Sequence, residues 1–282
     1  MEILLAAAVL PVIALCYYIY KKDVNKEPKE VLRKLFGYGC LTVIPILIVE
    51  IILDPFFSTA NLTSFVAIFI NTFIAVALVE EGFKWIVTKK FGYDNKEFDE
   101  VYDIIVYSVF ASLGFACVEN ILYVLSNGLG NAIVRAFTSI PGHTCFGVMM
   151  GYYFSKAKVN YINGNDSLYR RNLLLSILMP TLFHTTYDAI IFYYVAIESL
   201  FIFFLFVIFV IAMVVLCFKI VKKASRVQQT LTKSLEKGII RSNSSGHVEY
   251  HPTNTNSINY CPVCGKDVRG YNYCPSCGFH IR

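Results

Sequence analysis

Long apolar runs, separated by short polar segments, dominate the first 220 residues of the chain. A helix needs about 20 mostly apolar residues to cross a bilayer. Seven runs come close to that length or exceed it, at 2–20, 31–53, 62–88, 101–126, 128–155, 171–195 and 197–220. The pattern predicts an all-α, polytopic membrane helical bundle of about seven transmembrane helices, which occupies residues 1–223.

Composition supports a lipid bilayer as the solvent of this bundle. The chain is 56% hydrophobic and only 16% charged, and its mean hydropathy of +0.56 excludes an ordinary soluble domain. Lys and Arg cluster after the first, third, fifth and seventh runs, which places the N-terminus outside and the C-terminus in the cytoplasm of a multi-pass cell-membrane protein. The net charge of +5 is therefore a topology signal, and no nucleic acid partner is expected.

The first apolar run resembles a signal peptide in length but not in its flanks. No basic residue precedes it, whereas Lys21 and Lys22 follow it. We therefore expect a retained transmembrane span.

The composition changes near the C-terminus to a stretch rich in Ser, Asn and Thr, which predicts a flexible cytoplasmic linker at 224–259. Residues 260–282 hold two Cys-x-x-Cys pairs, Cys261 with Cys264 and Cys274 with Cys277. This spacing predicts a four-cysteine zinc ribbon with a closed, structural zinc site. The alternative is a pair of disulfides, which a reducing cytoplasm disfavours. Such a module would stabilise itself by metal binding and recruit a cytoplasmic protein partner.

Ionisable residues at membrane depth are costly, so each one within a span is a functional hypothesis. Glu80 and Glu81 stand side by side near the end of the third run, and Lys84 follows at helical spacing. Such a pair of carboxylates could supply both an acid and a base, or a metal ligand and a base. The alternative is an ion pair that snorkels to the cytoplasmic boundary.

Glu119 interrupts the fourth run, on a helix face that it shares with the small residues Ser112 and Ala116. That face predicts close helix packing and a Glu119 side chain that points into the bundle. At 1.5 Å per residue Glu119 lies roughly 28 Å along its helix from Glu100, deeper than the other candidates. The alternative role is a structural interhelical hydrogen bond.

Two histidines lie in separate runs, each soon after a proline. His143 shares a face with the GxxxG pair Gly147 and Gly151, which directs it toward protein. His184 and Asp188 lie one helical turn apart, a spacing that suits two ligands or an imidazole oriented by a carboxylate. Prolines at this depth predict irregular backbone beside a water-lined cavity. A second set borders the spans and is expected to anchor them at the interfaces, namely Glu50, Asp54, Asp103 and Arg135.

Four motifs follow one another along the chain: Glu-Glu-x-x-Lys, then Glu-Asn, then a His, and finally His-x-x-x-Asp. This order resembles the PrsW family of intramembrane proteases. More distantly, it resembles the CAAX prenyl protease and bacteriocin-immunity superfamily. The resemblance includes Lys26, Glu27 and Pro28 of the first loop. It implies a bundle that hydrolyses membrane-anchored proteins such as anti-sigma factors. The positions that it marks as catalytic are Glu80, Glu81, Glu119, His143, His184 and Asp188. The zinc ribbon is not part of this pattern.

The expected chemistry is water attack on a scissile carbonyl, with Glu80 or Glu81 as the general base. His143 and His184 could hold a catalytic zinc with Asp188 beside them, or a metal-free site could use His143 to orient water and His184 to stabilise the oxyanion. Two other classes stay open. The same residues could form the relay of a transporter or channel, or the chain could be a non-catalytic scaffold.

Overall fold

The computed structural model describes residues 1–95, 97–98, 100–236, 240–242, 248–250, 261, 267–269, 271 and 274–275. The helices are α1 (Glu2–Lys22), α2 (Lys29–Leu41), α3 (Val43–Phe57), α4 (Phe65–Thr72), α5 (Leu78–Thr88), α6 (Asp103–Phe137), α7 (Ser139–Ile162), α8 (Asp166–Ile197) and α9 (Leu200–Glu236). Two π-helical segments flank α5, π1 at Phe73–Ala77 and π2 at Lys89–Tyr93. The predicted all-α polytopic fold is confirmed.

Six helical stretches of the described chain are long and apolar enough to cross a membrane. They are Glu2–Lys22, Lys29–Phe57, Phe65–Tyr93, Asp103–Ile162, Asp166–Ile197 and Leu200–Gln228. The sequence pattern divides the fourth of these, a stretch of 60 residues, into two spans. Its α6 contains a break at Gly128, whose φ of 77° and ψ of −169° are not helical. On either side of the break, the arms 103–127 and 139–162 are each about 36–38 Å long, enough to cross a bilayer.

These two arms pack against each other in antiparallel fashion, and glycine permits the contact. A Cβ on Gly147 would lie 2.9 Å from the Cα of Val109, and one on Gly151 would lie 2.5 Å from the Cα of Ile105. Any larger residue would push the helices apart, because real Cβ contacts are not that short. The GxxxG packing face that the sequence predicted on α7 is confirmed.

The N-terminal half of α6 is also pressed closely onto α2. A Cβ on Gly39 would meet the carbonyl oxygen of Ala111 at 2.1 Å, and a Cβ on Gly114 would meet that of Phe36 at the same distance. Between them, α6 and α7 contribute most of the buried core. The central helices are thus fixed in position by backbone-to-backbone contact, which gives the site a rigid base.

The C-terminal part of α9 packs onto the loop after α1. Gln228 donates to Asp23 Oδ1 at 2.9 Å and accepts from the backbone N–H of Val24 at 2.8 Å, and Ser225 donates to the Lys22 carbonyl at 2.7 Å. The helix continues to Glu236, past the linker boundary predicted at 224. The ordered end of α9 therefore ties the beginning of the chain to the segment that leads into the tail.

Two short antiparallel strands follow within the predicted linker, β1 (Ile240–Ser242) and β2 (Val248–Tyr250). In the predicted zinc ribbon, Cys261 and Cys274 are buried. Their predicted partners Cys264 and Cys277 lie outside the described residues. The zinc ribbon therefore stays a prediction.

Candidate active site

Lys84 lies at the centre of the site with no exposed surface. Its Nζ donates to Glu80 Oε2 and to Glu81 Oε1, each at 2.9 Å, and lies 3.3 Å from His143 Nδ1. The ammonium also sits 4.0 Å from the centre of the Phe115 ring, a cation–π distance. A lysine held on all sides in this way does not snorkel to the cytoplasmic boundary. The ion pair of the sequence alternative is present, but it is buried within the protein, so the expected snorkelling is wrong.

The local backbone of this span is irregular just before the two glutamates. The π1 segment ends at Ala77, and α5 starts at Leu78. A π-helical turn inserts an extra residue and changes the helix phase, and such turns are frequent at functional sites. Glu80 and Glu81, although adjacent in sequence, both point into the bundle with 5% and 0% of their surface exposed.

His184 connects α8 to this carboxylate pair. Its Nδ1 lies 3.0 Å from Glu81 Oε1 and 3.9 Å from Glu80 Oε2, while its Nε2 lies 3.2 Å from Asp188 Oδ2. The ring stacks on Phe146 with a centroid separation of 4.6 Å. Carboxylate contacts on both nitrogens and an aromatic neighbour fix the imidazole orientation. The spacing of His184 and Asp188 thus does bring the two side chains together.

His143 connects Lys84 to Glu119. Its Nε2 lies 3.0 Å from Glu119 Oε2, opposite the Nδ1 that faces Lys84. The rings of His143 and His184 are 5.5 Å apart between centroids. All six acidic and histidine residues singled out in the sequence therefore lie in one connected cluster. Glu119, which the depth argument placed apart from the others, contacts His143 directly.

Arg135 belongs to this cluster, although the sequence pattern assigned it an interfacial anchoring role. Its Nη2 lies 2.5 Å from Glu119 Oε2, its Nε donates to Asn120 Oδ1 at 2.8 Å, and its guanidinium lies 4.1 Å from the centre of the Tyr123 ring. The chain folds back at Gly128, which carries Arg135 next to Glu119. The Gly-Leu-Gly segment at 128–130 is the sequence signal that could have revealed this return.

A cavity of about 1050 Å³ opens beside the cluster. The catalytic candidates on its wall are Glu80, Glu119, His143, His184 and Asp188. Helix α3 contributes Glu50 and Asp54 to the same wall, so these two residues also border the site rather than only the membrane interface. The volume exceeds by far that of a single water and matches the upper end of ordinary ligand sites, roughly 300–1,000 Å³.

Three of these side chains have the geometry of a metal site. One ligand atom each from Glu80, Glu81 and His184 lie within 4.8 Å of one another, and this is the one group of three or more such ligands in the described part of the chain. Glu81 Oε2 is buried without a hydrogen-bond partner, so the set has a free acceptor. Two carboxylates and an imidazole suit zinc and other divalent transition metals. His143 is not in this group, since its nitrogens face Lys84 and Glu119.

Most of the chain is similar in sequence to known proteins. The family model described as PrsW family intramembrane metalloprotease matches residues 27–216. Proteins named Protease PrsW are similar over about two thirds of this chain. The one from Oceanobacillus iheyensis is 39% identical over 188 residues, which are 67% of this chain and 82% of the relative. Those from Geobacillus kaustophilus (41% over 186 residues, 66% and 78%) and Bacillus subtilis (35% over 189 residues, 67% and 82%) are comparable.

No solved structure matches the chain at a significant level. The matched range nevertheless includes every contact of the cluster, from Glu80 to Asp188, and extends into α9. An intramembrane protease is itself a multi-pass membrane protein, which agrees with the six membrane-length helices of the described residues. The chain belongs to the PrsW family of intramembrane proteases.

Proposed function

We propose that this protein hydrolyses a peptide bond of membrane-anchored proteins, such as anti-sigma factors, with water activated by the Glu80 and Glu81 pair. One observation carries the proposal. The two carboxylates share a buried lysine and a histidine, and Glu80 lies on the wall of a cavity large enough for an extended peptide segment.

The environments of the two glutamates suggest different roles. Glu80 lines the cavity, whereas Glu81 lies behind it, bonded to both Lys84 and His184. We assign Glu80 as the general base that takes a proton from the attacking water, because a base must reach its substrate. Glu81 holds Lys84 and His184 in place. The sequence did not distinguish Glu80 from Glu81 as the general base, and the position of Glu80 on the cavity wall favours it for that role.

The two histidines face the cavity from neighbouring helices. His184, oriented by Asp188, can donate to the oxygen of the tetrahedral intermediate. His143, held between Lys84 and Glu119, can orient the water or protonate the leaving amine. Arg135 holds the Glu119 carboxylate against His143 and is therefore a positioning residue. These roles form a metal-free version of the mechanism.

The family name implies a metal, and Glu80, Glu81 and His184 fit one. A bound divalent ion there would polarise the scissile carbonyl and lower the pKa of water. In that version Glu80, Glu81 and His184 would hold the ion, and His143 would take over from Glu80 as the group that accepts the proton of the water and passes it to the leaving amine. The sequence led us to expect a catalytic zinc on His143 and His184. We propose instead that Glu80, Glu81 and His184 hold it.

We also propose the orientation and the tail function that the sequence suggested. The N-terminus lies outside and the C-terminus in the cytoplasm, because Lys and Arg concentrate on that side. The tail binds a structural zinc through Cys261, Cys264, Cys274 and Cys277. Its role is to recruit a cytoplasmic protein partner.

The test compares the purified wild type with Glu80→Gln and Glu81→Gln in a bilayer mimetic. The exposed Glu30, paired only with Lys34 on the surface of α2, supplies the control Glu30→Gln. Candidate single-span membrane proteins serve as substrates, and cleavage is followed by gel and mass spectrometry. We expect both site variants to lose at least about a thousandfold in rate, a typical loss for an acid–base group with additional positioning roles.

Metal content is measured on a full-length variant in which all four tail cysteines are serine, so that zinc in the ribbon does not contribute. About one metal per chain, lost in Glu81→Gln, supports the metal version. Cleavage without metal supports the metal-free version. Ion flux without cleavage would favour the transporter alternative, and full cleavage by both glutamate variants would refute the proposal.

A further inference from the structure

Helix α3 lies at the edge of the bundle and packs mainly against π1 and α5. Its large apolar side chains are mostly exposed, from 43% for Leu47 to 77% for Phe56. Only at its start, where Val43 and Ile46 pack with Phe115 of α6, is α3 buried. A membrane helix with so little protein contact has lipid, or another membrane segment, as its neighbour.

Beyond this contact α3 and α6 separate. Glu50, Asp54 and Phe57 of α3 line the cavity, and so do Leu122 and Tyr123 of α6. Leu122 and Tyr123 are 46% and 47% exposed. We name the opening bordered by residues 47–57 of α3 and 122–126 of α6 the α3–α6 cleft. Exposed apolar residues border the cleft on both sides, and the catalytic cluster lies on the wall of the same cavity.

Glu50 gives this cleft a chemical preference. It lies in the apolar middle of α3, and its Oε1 is buried without a hydrogen-bond donor from the described residues. A carboxylate at membrane depth is costly unless it is neutralised or paired. Asp54 lines the same wall one turn further along, while the cation nearby, Arg135, is already bound to Glu119. Among the described residues no cation is hydrogen-bonded to Glu50 Oε1, and an incoming ligand could supply one.

We propose that the α3–α6 cleft admits the membrane-spanning segment of the substrate, and that Glu50 binds a lysine or arginine side chain of that segment. The inference rests on the proposed function, since it names a substrate-recognition residue of the same site. The basic side chain pairs with Glu50 in a charge-assisted hydrogen bond. The adjoining backbone then lies along the cavity wall toward Glu80.

The test measures binding rather than cleavage, so it does not depend on finding the natural substrate. The probe is a fluorescent synthetic single-span helix of Leu and Ala with one Lys in its outer half, and its twin carries Gln in place of Lys. Both are titrated against full-length Glu81→Gln in nanodiscs. We expect the Lys probe to bind about tenfold more tightly than its twin, a typical value for a partly desolvated charge pair.

Two substitutions at position 50 make the prediction specific. In Glu50→Gln the preference for the Lys probe should disappear, and in Glu50→Lys a probe with Glu should be preferred. The matched control is Glu30→Lys, which changes an exposed carboxylate of α2 and should leave the preference intact. If the protein with Glu50 intact bound the Lys and Gln probes equally, Glu50 would not be the residue that binds the basic side chain.

Photo-crosslinking locates the entry path separately. A photoreactive residue replaces Leu47 on the cleft or, as a control, Ile70, which is 50% exposed on α4 away from the cavity wall. Several-fold more probe should be captured at position 47. Equal capture at both positions would overturn the cleft. Neither result bears on whether Glu80→Gln and Glu81→Gln abolish cleavage, so failure here leaves the proposed function standing.

Discussion

Replacing Lys84 with methionine would keep the side-chain length and remove the charge. In the folded protein this ammonium has no exposed surface and two carboxylate contacts at 2.9 Å. Removing one partner of a buried ion pair costs about 3–5 kcal/mol, because the other charge stays buried and unpaired. Here two carboxylates on adjacent residues would repel each other. We therefore expect Lys84→Met to lose about 3–5 kcal/mol of unfolding free energy.

A second variant separates charge from shape. In Lys84→Met/Glu81→Gln one of the two negative charges is also removed, so much of the lost stability should return. Catalysis should not return, because the Nδ1 of His184 would then lack the Glu81 carboxylate at 3.0 Å, and only the contact of its Nε2 with Asp188 would remain close. The pair is measured as a double-mutant cycle of unfolding free energy in a bilayer mimetic, with cleavage assayed in parallel.

The control for the cycle is Lys34→Met on α2. Lys34 makes the same i,i+4 contact with Glu30 at 2.8 Å, but the two side chains are 62% and 70% exposed. Water and salt screen such a pair, so its loss should not be measurable against the scatter of the assay. If Lys84→Met proved as mild as Lys34→Met, the buried ion pairs would not be a property of the folded protein in the membrane.

Three further predictions concern the residues that position the site. Arg135→Lys keeps the charge but cannot reach Glu119 and Asn120 in the same geometry, so we expect cleavage to fall by at least about tenfold; an unchanged rate would remove Arg135 from the site. Gly128→Ala should cost roughly 1–3 kcal/mol and lower activity, because its backbone conformation suits glycine while no atom lies within 4 Å of the added Cβ. Gly130→Ala, also in open space, is its control, and equal effects in denaturant titrations would contradict the argument. Gln228→Ala should lower unfolding free energy by about 1–3 kcal/mol through the lost contacts to Asp23 and Val24; a fall in cleavage rate without loss of stability would contradict that purely structural role.

The sequence predicts the bundle well because apolar runs of membrane length carry a strong signal. The candidate residues were also identifiable, since each is ionisable and lies within an apolar run. Their contacts were not predictable from depth alone. Glu119, at roughly 28 Å along its helix from Glu100, lies within 3.0 Å of His143 Nε2, because the start of α7 packs against the second half of the 103–127 arm of α6.

Two features escaped the sequence for the same physical reason, which is an irregular backbone: the contact of Arg135 with Glu119 and the π1 segment. The fold-back at Gly128 brings Arg135 to Glu119, and a pattern read as two straight spans cannot show a contact across their joint. The π1 segment changes the phase of the helix just before Glu80, and apolar periodicity does not reveal that extra residue. Glu50, by contrast, was visible in the sequence, but nothing there placed α3 beside the cavity.

The connected cluster explains how so many ionisable side chains remain in a membrane domain. Four carboxylates, Glu80, Glu81, Glu119 and Asp188, each contact a basic group within it. Every such contact offsets part of the cost of removing a charge from water. Glu50 lines the same cavity without such a contact to its buried oxygen. The charges of the cluster are thus already paired with one another. At Glu50 on α3, by contrast, an incoming segment can add a favourable charge interaction without displacing an existing one.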